Sequence, residues 1–161
     1  LTNYEVYKYS SKWEILRASN SNGMKLYTGG FHGIKKSADD FFRTLVIQNQ
    51  KGEVLLSGKL TRSEIISSDL DKFSGYTIPL KEKIFVGENG CYVQSERLRS
   101  VGKINILSNI SAVLRFFIKL FFANPYQVNY LTKLTVNCPS IFKQELPEFT
   151  GIQSYYLINP R

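Results

Sequence analysis

The amino-acid sequence predicts a single α/β domain spanning residues 1–161, with a mixed, twisted central sheet flanked by helices. Three observations carry that prediction. Two β-rich runs surround a short Gly-containing turn at residues 44–60, the pattern of a hairpin. Apolar residues then recur at helical spacing after Gly102, at Ile106, Ile110, Val113, Leu114, Phe117, Ile118 and Phe121. Finally, residues 91–158 read in order as strand, long helix, strand, short helix and strand, long enough between strands for a crossover.

The first half is punctuated by turn chemistry. Tyr4 to Tyr9 alternates in the manner of a strand, and residues 13–18 extend it, follow it or begin a helix. Asn20-Ser21-Asn22-Gly23 and Thr28-Gly29-Gly30 are turn signals, with a short strand between them at 24–27. The hairpin follows, carrying Leu45, Val46 and Ile47 before the Gln50-Lys51-Gly52 turn and Val54, Leu55 and Leu56 after it. Residues 63–73 are polar and read as a loop with a short helical turn. Residues 81–86 fit helix and strand equally.

In the second half, Tyr92 and Val93 mark a strand over 91–99 that Gly102 breaks. The helical segment that follows places Ser108, Ser111, Arg115 and Lys119 on a wet stripe opposite its apolar face, and Asn124-Pro125 ends it. Arg115 and Lys119 also argue against a membrane span, leaving a core helix. Residues 130–137 alternate as a buried strand, Pro139 opens a short helix over 140–145, and residues 151–158 form the last strand.

Composition is that of a globular chain: 43% hydrophobic, 14% aromatic and 21% charged. Twenty-one Lys and Arg against 13 Asp and Glu give a net charge of +8. That balance suits an acidic partner: nucleic acid, an anionic surface, a phosphorylated cofactor or an acidic carrier. Cys91 and Cys138 match no metal-ligand spacing and no disulfide framework. They could pair, but the preferred reading is two reduced, buried thiols. A lone His32 in a Gly-flanked loop offers neither a zinc site nor a triad. The first ten residues lack the apolar core of a signal peptide, so a cytoplasmic location is expected.

The run Val46-Ile47-Gln48-Asn49-Gln50-Lys51-Gly52-Glu53-Val54-Leu55-Leu56 resembles the early hairpin of the GNAT acyltransferases. Arg99-Ser100-Val101-Gly102-Lys103-Ile104 is similar to that superfamily's phosphate-binding loop at a helix N-terminus, with Ile104 where Gly or Ala belongs. Asn137, Ser140, Gln144 and Glu148-Phe149 keep a family spacing, with Gln144 in the place of a tyrosine acid and Glu148 in the place of a glycine. Gln94-Ser95-Glu96-Arg97 resembles the motif of the acyl-homoserine-lactone synthase-like branch, and Lys59 and Asp39 or Asp40 stand for its other charged positions. As an order of elements the resemblance covers residues 39–158.

It implies transfer of an acyl group to an amine or hydroxyl. The donor would be acyl-CoA or an acyl carrier protein, with no tightly bound cofactor. Glu96 would serve as base and Tyr155 as the other catalytic group, while Arg97, Arg99, Gly102 and Lys103 would bind the donor phosphate. For Glu96 a simple salt bridge is the competing reading, and for the tyrosines core packing. The alternative function is a non-catalytic basic protein. It would bind nucleic acid or an acidic partner through Tyr4, Tyr7, Lys8, Tyr9, Lys12 and Trp13, an interleaving suited to stacking on single strands.

Overall fold

The computed structural model describes residues 10–33, 41–71, 76–88, 90–105, 111, 113–114 and 124–159. Its strands are β1 (Ser10–Ser19), β2 (Lys25–Gly33), β3 (Phe41–Gln48), β4 (Val54–Asp71), β5 (Tyr76–Val86), β6 (Cys91–Asn105), β7 (Asn124–Asn137) and β8 (Phe149–Asn159). Each pairs antiparallel with the next. Strand β8 returns to pair with β1, from Lys12↔Leu157 to Ser19↔Thr150, and closes the sheet into a barrel.

This overturns the expected helix-flanked mixed sheet and, with it, the GNAT resemblance. The physical distinction is strand direction. A crossover helix is needed only where consecutive strands run parallel, whereas β6 and β7 are antiparallel neighbours from Tyr92↔Asn137 to Asn105↔Tyr126. Most of the expected helix over 105–121 lies outside the described residues. Within that stretch Val113 and Leu114 are helical but 68% and 52% exposed, not core residues. The short helix expected at 140–145 is instead a turn, in which Ile141 and Phe142 both donate backbone N–H groups to the Cys138 carbonyl. No helix among the described residues is long and apolar enough to cross a membrane.

The strands read from the hairpin and from residues 91–99, 130–137 and 151–158 lie within β3, β4, β6, β7 and β8. The polar stretch 63–73 is strand as far as Asp71, paired with β5 from Leu60↔Val86 to Asp71↔Tyr76. Residues 61–70 are all exposed, so this part of β4 has no buried face to imprint an alternating pattern. The residues ambiguous between helix and strand at 81–86 belong to β5, and His32 belongs to β2.

Side-chain alternation explains the rest. Leu16 and Ala18, Leu45 and Ile47, Ile84 and Val86, Cys91 and Val93, and Leu134 and Val136 occupy every second position and fill the barrel's lower half. Two hairpins at that end use one device. Asn20 Oδ1 accepts from the backbone N–H groups of Asn22 and Met24, and Asn49 Oδ1 accepts from those of Lys51 and Glu53. Gly23 and Gly52 supply the positive φ these turns need, 71° and 87°. The 138–148 connection closes the same end, packing Phe142 and Leu146 onto the core. It is stapled by a Cys91–Cys138 disulfide, which corrects the expectation of two reduced thiols.

Gly151 sits where β1 and β8 meet, opposite Ala18. A Cβ there would lie 1.9 Å from the Arg17 carbonyl oxygen and 2.5 Å from Ala18 Cα, so backbone must move to admit it. Gly151→Ala is expected to destabilise the fold by about 3 kcal/mol, at the upper end of ordinary overpacking. Urea unfolding of the variant beside the parent measures this.

Candidate functional site

Above the apolar half, the inward stripes of four strands end in charge. Glu14 continues the Leu16–Ala18 stripe of β1, and Arg43 the Leu45–Ile47 stripe of β3. Glu82 continues Ile84–Val86 on β5, and Arg97 continues Val93–Ser95 on β6. All four side chains are buried. Arg43 contacts Glu14 and donates from Nη1 and Nη2 to Glu82 at 3.4 and 3.2 Å. Arg97 Nη2 donates to Glu82 Oε1 at 2.8 Å and to the Tyr155 hydroxyl. Gln153 Nε2 donates to Glu14 Oε2 at 3.3 Å. Two carboxylates therefore balance two guanidiniums inside the barrel, a condition for burying any of them at tolerable cost.

Glu82 is the hub. Burial alone would raise its pKa, but the Coulombic pull of Arg43 and Arg97 and their hydrogen bonds outweigh it and hold the carboxyl at about 2. For Arg43, burial lowers the pKa, yet Glu14 and Glu82 more than compensate and the net direction is upward. For Arg97, burial prevails and lowers the pKa despite the pull of Glu82 and Glu14.

The Glu82 shift fixes a pH dependence. Its folded pKa lies below the ordinary 4.5, so its stabilisation is complete above that value and is lost as pH falls towards about 2. The loss is expected to be on the order of 3 kcal/mol. Urea midpoints between pH 6 and pH 2 read it, and a Glu82→Gln variant should lack that part of the acid dependence.

The barrel's other end carries a cavity of 470 Å³ whose wall includes Leu70, Leu80, Arg97, Ser100, Lys103 and Tyr130. Two register shifts in β6 aim its side chains there, one between Arg97 and Arg99 and one between Ser100 and Gly102. Leu98 and Val101 are the extra residues, 52% and 47% exposed. With them set aside, Arg97 is directly opposite Thr132, Ser100 opposite Tyr130 and Lys103 opposite Val128. Directly opposed residues share a face, and Thr132 and Val128 face inward, so all three β6 side chains do as well. By the same rule Asp69 stands with buried Ile78 on the inner side. Tyr130 packs edge-on against Tyr155, ring centroids 6.1 Å apart, and Arg97 lies 5.1 Å over the Tyr155 ring.

A larger groove of 540 Å³ runs along the outer face of β6 and β7 beneath the 138–148 connection. Its wall includes Gln94, Thr135, Lys143, Gln144 and Glu145, and its floor is the core residues Val136, Cys138, Phe142 and Leu146; it shares no residue with the cavity at the other end. Among the described residues no group of three or more His, Cys, Asp and Glu side chains is placed to hold a metal ion.

The residues expected from the sequence to form a site are divided by this geometry. Arg97 and Tyr155 are brought together inside the barrel, while Arg99 and Lys103 stand at the cavity's rim. Glu96 points outward, opposite Lys81 in register and 3.7 Å from its ammonium, the salt bridge that competed with a catalytic role. Gly102 lies within β6 opposite Asn129, so the expected phosphate cradle at a helix N-terminus is continuous strand. Trp13 stacks on Tyr156 at 4.3 Å, and Tyr4, Tyr7, Lys8 and Tyr9 lie outside the described residues. Glu14, Arg43, Glu82 and Gln153 were not singled out by the sequence. Their signal is a charged or amide residue standing in step with an apolar period-two stripe.

A closed, eight-stranded antiparallel meander with a charged interior layer and a cavity at one end of it defines the class. Among solved structures, a putative AttH from Nitrosomonas europaea superposes with a TM-score of 0.58 at 12% identity, over 91% of this chain and 38% of that one. Kievitone hydratase from Nectria haematococca superposes with a TM-score of 0.56 at 12% identity, over 92% of this chain and 40% of that one. At such identity the likeness shows the fold alone, and the chain spans about two fifths of the length of either protein. No protein-family model and no curated protein sequence matches the chain. The acyltransferase expectation is overturned with the GNAT fold it rested on, since the chain closes as an antiparallel barrel and superposes on barrel proteins. With the GNAT fold goes the premise of coenzyme A or an acyl carrier protein as donor.

Proposed function

We propose that the barrel binds one small amphipathic molecule in the cavity lined by Arg97, Lys103 and Tyr130. The observation that carries this reading is the composition of the wall, where Leu70, Leu80 and Tyr130 stand beside Arg97, Ser100 and Lys103. Apolar surface with a few convergent polar groups is the usual make-up of a small-molecule site, and 470 Å³ lies within the usual size range. The other end of the barrel is filled by side chains. The reading calls for no resident metal or cofactor. The Cys91–Cys138 disulfide supports work in an oxidising compartment, where such bonds persist, over the cytoplasmic location expected from the sequence.

The test is titration of the protein into N-phenyl-1-naphthylamine, a neutral dye that fluoresces in apolar surroundings. Saturable binding of one dye per chain is expected. Leu80→Trp, which fills the mouth, should weaken binding about tenfold while circular dichroism shows an intact barrel. Absence of saturable binding, or full affinity in the filled variant, would sink the reading.

A further inference from the structure

We propose that the ligand carries a carboxylate head, seated on the buried guanidinium of Arg97 with the Lys103 ammonium at the rim above it. This rests on the mouth being a ligand site and adds the chemistry of what enters. Arg97 lines the cavity with a fully buried side chain. Its Nη2 is used twice, on Glu82 and on Tyr155, but Nε and Nη1 have no hydrogen-bond acceptor among the described residues. Buried guanidinium donors without acceptors are costly and uncommon, because the charge has lost water and gained nothing on that side. A ligand oxygen arriving through the mouth would supply what the protein leaves out.

The charge balance selects the sign and the size of the charge. Among the described residues, Glu14 and Glu82 balance Arg43 and Arg97 within the barrel. Among the described lining residues at the mouth, Arg99 and Lys103 outnumber Asp69. A monoanion fits that arrangement. A dianionic phosphate would press a second negative charge towards Glu82, which both buried arginines hold ionised. A carboxylate oxygen can accept from one of the open Arg97 donors, Nη1 or Nε, which lie on different edges of the guanidinium. The apolar remainder of the molecule lies against Leu70, Leu80 and Tyr130.

Calorimetric titration of the intact protein with dodecanoate, dodecanamide and dodecyl phosphate separates the alternatives. Dodecanoate is expected to bind about tenfold or more tightly than the amide, the scale of one charge-assisted hydrogen bond. Lys103→Gln, an exposed substitution that leaves the core untouched, should narrow that preference by weakening the acid and sparing the amide. Arg97→Gln should abolish the preference wherever circular dichroism shows the barrel still folded. Equal affinity for acid and amide would overturn the carboxylate while leaving the mouth as a ligand site, and tighter binding of the phosphate would do the same. Failure of all three tails to bind would overturn both.

Discussion

Glu82→Leu is expected to remove about 3–5 kcal/mol of folding free energy, the largest single-residue effect in the molecule. The side chain it removes is the shared acceptor of two buried guanidiniums, Arg43 and Arg97. Leucine fills the volume but leaves Arg97 with the Tyr155 hydroxyl as its neutral acceptor and, among the described residues, one carboxylate, Glu14, near two buried guanidiniums. Replacing both members of a buried pair with apolar residues is far gentler than removing one, because no charge is stranded. Glu82→Leu combined with Arg97→Leu should therefore recover part of the loss, still leaving Arg43 on Glu14. Denaturant titrations of the two singles and the double form the cycle. A Glu82→Leu variant within about 1 kcal/mol of the parent would show that the network contributes little, as surface pairs do.

The second large effect lies at the opposite end of the barrel. Cys91 and Cys138 are 47 residues apart in sequence, and their bond ties the start of β6 to the end of β7. A closed loop of that length removes roughly 4 kcal/mol of chain entropy from the unfolded state, against a usual range of about 2–4 kcal/mol for measured bridges. The Cys91→Ser/Cys138→Ser double variant is expected to lose a stability in that range. Parent protein treated with dithiothreitol should unfold at the same urea midpoint as the variant. Because Phe142 and Leu146 follow Cys138 directly and cover the core, the loosened end should also bind a hydrophobic dye that the oxidised protein excludes.

These two effects sit on residues the sequence showed very differently. The cysteines were visible, but their partnership was not. Positions 91 and 138 meet only because Tyr92↔Asn137 sets the register of β6 on β7. Glu82 lay in a segment that fits helix and strand equally, and only as strand does it join the Ile84–Val86 stripe. Arg97 was marked by its place in a basic run. The same run contains Arg99 and Lys103, and the difference between a buried hub and a rim comes from two bulges that no spacing rule reveals.

The sequence by itself determined where most strands lie in the second half, the hairpin turning at Gln50-Lys51-Gly52, and the turn at Asn20-Ser21-Asn22-Gly23. Those are set by side-chain alternation and by short polar groups bonding their own backbone, interactions that span a few residues. It misread the connections. An ordering of strand, apolar segment and strand is the same for a parallel crossover and for an antiparallel pair with a long link, so the chain's periodicity carries no information on direction. Only the tertiary structure decided that β8 pairs with β1, and that closure turns one face of every strand inward. Burial then makes charge pairing obligatory, and it is this that assembles Glu14, Arg43, Glu82 and Arg97, 83 positions apart from first to last, into one layer beneath a cavity.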